Sequence, residues 1–321
     1  MKLKSINPYT DTIVYECDEL SDKQIESVLG YSKNAFENWK LTSLAERAKL
    51  MTNTSDILLK EKERLAHIIT IEMGKPIKES RSEINKCAWV CKYYSENAEQ
   101  FLQPRFISTD AKTSYIRYDP LGTILGIMPW NFPFWQVFRF VSPTLMAGNT
   151  ILLKHASNVQ QCAMKIHDIF RMAGFPEKVF QSLAIGSGKV KQLIESEVVK
   201  AVTLTGSEIA GASVAEVAGK HIKKTVLELG GSNAFIVLKD ADLVKAVEIG
   251  VQARMINGGQ SCIAAKRFIV HEMVAEEYIK MLKIRIRRLK VGDPFDEKTD
   301  LGPLASKKTV RTGAHTGYKI H

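Results

Sequence analysis

Apolar positions recur every three to four residues over three N-terminal stretches, 22–39, 44–72 and 77–101, and predict three amphipathic helices. Ser21 and Gln24 have the spacing of a capping box opening the first, and Gly74 with Pro76 separates the second from the third. Ahead of them, residues 7–14 read as a short strand pair around Pro8. Two further strands are predicted at 113–118 and 121–128, joined through Asp119 and Pro120. A helix at 135–147 follows, and the pattern then alternates. Strands are predicted at 150–154, 179–184, 201–204, 225–229 and 234–237, with helices at 160–173, 189–196 and 208–218 between them. Apolar strands alternating with helices imply an α/β fold with an open parallel sheet covered on both faces. Such a sheet binds ligands beyond the carboxyl ends of its strands. After Gly231 a second unit is predicted, with a helix at 243–256, a strand at 267–271 and a basic helix at 275–290.

At 321 residues the chain exceeds what one hydrophobic core usually organises, so two domains are expected. The formal charge of +10 would suit a nucleic-acid partner, yet the basic residues are spread over several helices and no recognised nucleic-acid module accompanies them. No apolar run has the length of a membrane span or of a signal-peptide core, so a cytoplasmic protein without a membrane partner is expected. Five cysteines, Cys17, Cys87, Cys91, Cys162 and Cys262, follow no disulfide framework and imply free thiols. Cys87 and Cys91 stand one helical turn apart, but no second pair completes a metal site.

Chemistry concentrates in a few short stretches. Glu228 lies between Leu227 and Leu229 in a predicted strand, so its charged form is expected to be poorly solvated and its pKa raised, as a general base requires. The alternative is a solvated strand face. Cys262 follows Gly258 and Gly259, which let the backbone turn tightly, and suits either a nucleophile or a small buried hydrophobe. Pro129-Trp-Asn-Phe-Pro133 makes a stiff loop able to aim the Asn131 amide, which could equally satisfy backbone groups of that loop. Thr205, Gly206 and Ser207, with Gly211 one turn on, end a strand and open a helix, where amides and the helix dipole favour a phosphate. Ser157 reads as a helix N-cap and Gly186 as a turn.

Glu228-Leu-Gly-Gly-Ser232 and Gly259-Gln-Ser-Cys262, with Pro129–Pro133 and Asp300-Leu-Gly-Pro-Leu-Ala305, resemble the motifs of the aldehyde dehydrogenase superfamily, in the family's order and from about residue 7 to 310. The wording from Gly259 through Arg267 looks most like the branch acting on succinate semialdehyde. The resemblance implies a Rossmann-like cofactor domain (1–110 and 127–229), an oligomerisation hairpin segment (111–126) and a partial catalytic domain (230–321). It implies oxidation of a small aldehyde to its acid, with Cys262 as nucleophile, Asn131 as oxyanion donor and Glu228 as the base that activates water. NAD or NADP would be held by Trp130, Lys154, Ser157, Gly206, Ser207 and Gly211. Ser157 stands where NAD-preferring relatives carry Glu, so the 2′-phosphate of NADP is expected to be tolerated. Arg139 stands where succinate-semialdehyde relatives place the arginine that pairs with the substrate carboxylate, although a helix-packing role fits it too. The family's full-length members are homo-oligomers that continue further, through a Glu-x-Phe-Gly-Pro segment not found here. The stretch 311–321 lacks apolar periodicity, and a truncated chain, with a non-catalytic cofactor-binding remnant as the alternative function, is the expectation.

Overall fold

The chain opens with β1 (Lys2–Ile6) and β2 (Ile13–Asp18), an antiparallel pair, in a computed structural model that describes residues 2–306. Most of the predicted 7–14 strand pair is the turn between them. Asn7 Oδ1 accepts the Tyr9 N–H across Pro8, and Asp11 takes a positive φ of 60°, so this asparagine–proline step reverses the chain instead of extending it.

Ser21 and Gln24 form the anticipated capping box on α1 (Asp22–Trp39). The predicted 44–72 helix is two helices, α2 (Leu44–Lys60) and α3 (Lys62–Met73), parted at Glu61, whose ψ of 7° is not helical. Apolar spacing runs through that break, since Leu58 and Leu65 are both fully buried, and so conceals it. Gly74, at φ 87°, caps α3 in a left-handed conformation that other residues rarely adopt, and α4 (Ile77–Leu102) follows.

The next region corrects the predicted hairpin. Its partners are β3 (Arg105–Phe106) and β4 (Tyr115–Ile116), whereas β5 (Thr123–Met128) is the central strand of a parallel sheet. Residues 123–126, assigned above to the hairpin segment, therefore belong to the sheet. The physical distinction is burial: β3 and β4 are exposed, while β5 is an apolar run buried along nearly all its length, as a strand covered on both faces must be.

Helices and strands then alternate through α5 (Trp135–Met146), β6 (Thr150–His155), α6 (Gln160–Met172), β7 (Phe180–Leu183), α7 (Val190–Glu195), β8 (Val199–Thr205), α8 (Glu208–Lys220) and β9 (Lys224–Glu228). The five parallel strands lie in the order β7-β6-β5-β8-β9. One face packs against a layer containing Phe138, Ile166 and Phe170, the other against Leu193, Val214 and Ala218. The chain departs from β5 first to one side and then to the other, so the loops after β5 and β8 flank the switch point where such sheets bind ligands.

Strand β10 (Asn233–Val237) does not join this sheet. Across α9 (Leu243–Met255) it pairs in parallel with β11 (Ala265–Val270), and α10 (Glu272–Arg287) follows. The helices cover one face of this pair, and Ile236 and Ile269, cross-strand partners, are 63% and 51% exposed on the other. Among the described residues no helix is long and apolar enough to cross a membrane. The stretch 311–321 lies outside the described residues.

Candidate active site

Side chains alternate along β9, so Leu227 and Leu229 pack toward the apolar layer while Glu228 turns to the opposite face. The Glu228 side chain is 55% exposed, and the apolar enclosure expected for it is absent. Its neighbours in sequence point away from it, and among the described residues β9 is an edge strand. What Glu228 has is a cation: Arg139 Nη2 lies 3.5 Å from its Oε2. The same nitrogen donates to Thr205 Oγ1 at 3.1 Å, on the residue directly across from Glu228 in the sheet.

Arg139 also lines a cavity of about 590 Å³, and Cys262 lines it from the loop after α9. Three successive left-handed residues shape that loop: Asn257 (φ 58°), Gly258 (63°) and Gly259 (75°). Asn257 is 1% exposed and acts as its anchor. Its Nδ2 donates to the Asn131 carbonyl at 2.8 Å and to the Gln260 carbonyl at 3.3 Å, and its N–H donates to Glu79 Oε1 at 3.2 Å. Asn131 closes the ring by donating from Nδ2 to the Gln260 carbonyl at 2.8 Å. The loop after β5 is thus tied to the cysteine loop, with one N–H of the Asn131 amide already engaged and the other not.

Two carboxylates on α4, Glu83 buried and Glu79 half-buried, support both loops. Glu83 Oε1 accepts the N–H groups of Phe134 and Trp135 at 2.8 and 2.9 Å, and its Oε2 pairs with Lys75 Nζ at 2.6 Å. Burial pushes the Glu79 carboxyl up from its ordinary pKa. From β6, His155 accepts the Ala156 N–H on Nδ1 and donates from Nε2 to the Pro133 carbonyl at 2.8 Å, and burial depresses its pKa to about 4, so it is neutral near pH 7. None of these four supports was anticipated. Only Asn257 left a local signal, an asparagine before two glycines, which marks a left-handed turn.

The switch point holds the other candidates. Ser207 caps α8, its Oγ accepting the Ala210 N–H. Gly206 N–H donates to the Glu228 carbonyl at 3.0 Å and Gly211 N–H to the Ser207 carbonyl at 2.9 Å, so neither amide is free for a phosphate. A Cβ on Gly211 would stand 2.6 Å from Leu229 Cδ2; this glycine lets α8 lie close on the sheet. The donors left over are the first-turn amides of Glu208 and Ile209 and the Ser207 hydroxyl. Lys154, 9% exposed at the end of β6, has its amine pKa lowered by burial, with Glu19 opposing. Ser157 is half-buried in the turn before α6, whose N-cap is Val159, so the N-cap reading of Ser157 does not hold. Glu72 serves α6 in its place, accepting the Gln161 and Cys162 N–H groups at 2.8 Å. Trp130 is half-buried against the core.

Residues 1–315 match the profile of the aldehyde dehydrogenase family. A probable succinate-semialdehyde dehydrogenase [NADP(+)] of Synechocystis sp. is 48% identical over 326 residues, covering 98% of this chain and 72% of the relative. Succinate-semialdehyde dehydrogenase [NADP(+)] 1 of Mycobacterium tuberculosis is 45% identical over 311 residues, covering 96% and 68%. Among solved structures, succinic semialdehyde dehydrogenase from Streptococcus pyogenes in complex with NADP+ superposes with a TM-score of 0.94 at 35% identity, over 97% of this chain and 68% of that one. The sequence motifs, the five-stranded parallel sheet and these likenesses agree: the chain belongs to the aldehyde dehydrogenase family.

Proposed function

We propose that this chain oxidises a small acidic aldehyde of the succinate-semialdehyde kind to its acid, using NADP or NAD. The observation that carries the reading is the shared cavity: Cys262 and Arg139 line one space, and Arg139 pairs with Glu228. The donor set at the switch point fits a dinucleotide, since first-turn amides, a serine hydroxyl and the Lys154 amine all suit phosphate and ribose oxygens. When bound there, the nicotinamide supplies the acceptor for the hydride.

The protein's own part is covalent catalysis. The Cys262 thiolate adds to the aldehyde carbon, and the free N–H of Asn131, with the Cys262 amide, stabilises the oxygen that becomes negative. Arg139 takes the substrate carboxylate, a geometry its planar guanidinium matches. Oxidation leaves a thioester on Cys262. Glu228 then removes a proton from the water that releases the acid; its exposed side chain, held by one ion pair, has room to turn toward the cavity. The test is reduction of NADP by purified chain with succinate semialdehyde and, separately, cofactor binding. Turnover supports the reading, whereas binding without turnover assigns the chain a cofactor-holding role only.

Two further outcomes are expected. Ser157→Glu sets a carboxylate where the NADP 2′-phosphate would lie, and it raises the NADP KM by about tenfold or more, roughly 1.4 kcal/mol, with little change for NAD; steady-state kinetics with both cofactors measure this. Asn257→Gly keeps the left-handed turn but removes the Nδ2 clamp between the loops. Misplacing the thiol against Asn131 lowers kcat by about 10²-fold while cofactor affinity holds, as kinetics and binding titration together show.

A further inference from the structure

The cavity beside Cys262 contains a second cation. Lys86, on the exposed side of α4, lines it, and its Nζ sits 4.0 Å from the centroid of the Trp135 ring, another lining residue. An ammonium over an indole face is held in place without being neutralised. Among the described residues no carboxylate is in ion-pair contact with Lys86. Of the two carboxylates that share the cavity, Glu83 is committed to Lys75 and two backbone N–H groups, while Glu79 accepts the Asn257 N–H on Oε1, keeps a buried Oε2 without a hydrogen-bond partner, and has its charged form disfavoured by burial. Arg139, the remaining charged lining residue, has Glu228 at 3.5 Å. The solvent-exposed charge in this lining that lacks an ion-pair partner is therefore positive.

We propose that Lys86 is a specificity-determining residue, a second cation that draws the far-end carboxylate of the substrate into the cavity alongside Arg139. Helix α4 supplies one cation and α5 the other, while the loop after α9 supplies the thiol. A short chain with an aldehyde at one end and a carboxylate at the other meets complementary groups at both ends, and a neutral aldehyde of the same length leaves Lys86 unanswered. Lysine acts as a point charge that tolerates a range of carboxylate positions, where the arginine fork fixes one. This inference deepens the proposed function and rests on it for the identity of the ligand, but the anion attraction is a property of the cavity alone.

The test uses two alkylating agents that differ in charge, iodoacetate and iodoacetamide, on the whole chain, with modification followed by mass spectrometry at the Cys262 peptide. The wild-type chain reacts with iodoacetate at a rate raised by the cavity cations. Lys86→Gln lowers the iodoacetate-to-iodoacetamide ratio by about fivefold, a size suited to one partly solvated charge, and Lys86→Arg retains most of it. A ratio unchanged in Lys86→Gln overturns the proposal. In turnover, Lys86→Gln lowers the preference for succinate semialdehyde over butanal, mainly through the KM of the acidic substrate. A fall in kcat with no change in KM assigns Lys86 a structural part and overturns the specificity role. Because alkylation needs neither cofactor nor turnover, a changed ratio in a chain that oxidises no aldehyde rejects the proposed function and leaves the anion attraction standing.

Discussion

Cys262→Ala abolishes aldehyde oxidation, lowering kcat/KM by about 10⁴-fold or more, while the affinity for NADP stays within about twofold. The thiol's surroundings single it out. Cys87, Cys91 and Cys162 are fully buried, and burial pushes all three thiols up, Cys91 to about 12, so none is a practical nucleophile near neutral pH. Cys17 is partly exposed but sits on β2, beside α6 and outside the cavity. Cys262 is partly exposed, lines the cavity and is positioned by the anchored Asn257 turn. Stopped-flow measurement of NADPH formation, paired with fluorescence titration of the cofactor, separates the two effects. Full activity in Cys262→Ala, or loss of activity in Cys17→Ala instead, would move the nucleophile elsewhere.

Glu228→Gln separates the two stages of the reaction. The amide keeps the size of the carboxylate but cannot accept a proton, so acylation proceeds and deacylation stalls. A burst of about one NADPH per active site should appear, followed by a steady rate lowered by roughly 10²- to 10⁴-fold. If the burst itself disappears, Glu228 acts before the thioester and the assignment to deacylation is wrong. Glu228 is exposed and paired with Arg139, so it must turn from that cation to meet a water in the cavity.

Much of the sheet was legible because β5, β6 and β8 are largely apolar strands bounded by glycine, proline and polar turns, and the strand-to-helix step at Gly206 and Ser207 falls where it was expected. What eluded the sequence depends on partners far along the chain. Leu227 and Leu229 suggested an enclosed Glu228, but in a strand the immediate neighbours lie on the other face, and only the sheet order reveals that β9 is an edge. The hairpin was misassigned because β3, the true partner of β4, is two residues long and has no periodicity to detect. Glu79 and Glu83 lie in a stretch whose pattern predicted an amphipathic helix and nothing more. Their value lies in contacts with Asn257, Phe134 and Trp135, between 51 and 178 residues away, which no local pattern encodes.

The central claim is that the substrate becomes covalently attached to Cys262. Mixing the Glu228→Gln chain with NADP and succinate semialdehyde, quenching in acid and mapping the peptides by mass spectrometry tests it directly. The account predicts a single succinyl increment on the peptide containing Cys262, equal in amount to the NADPH formed in the burst. NADPH formed with that peptide unmodified, or with the increment on another residue, would contradict it.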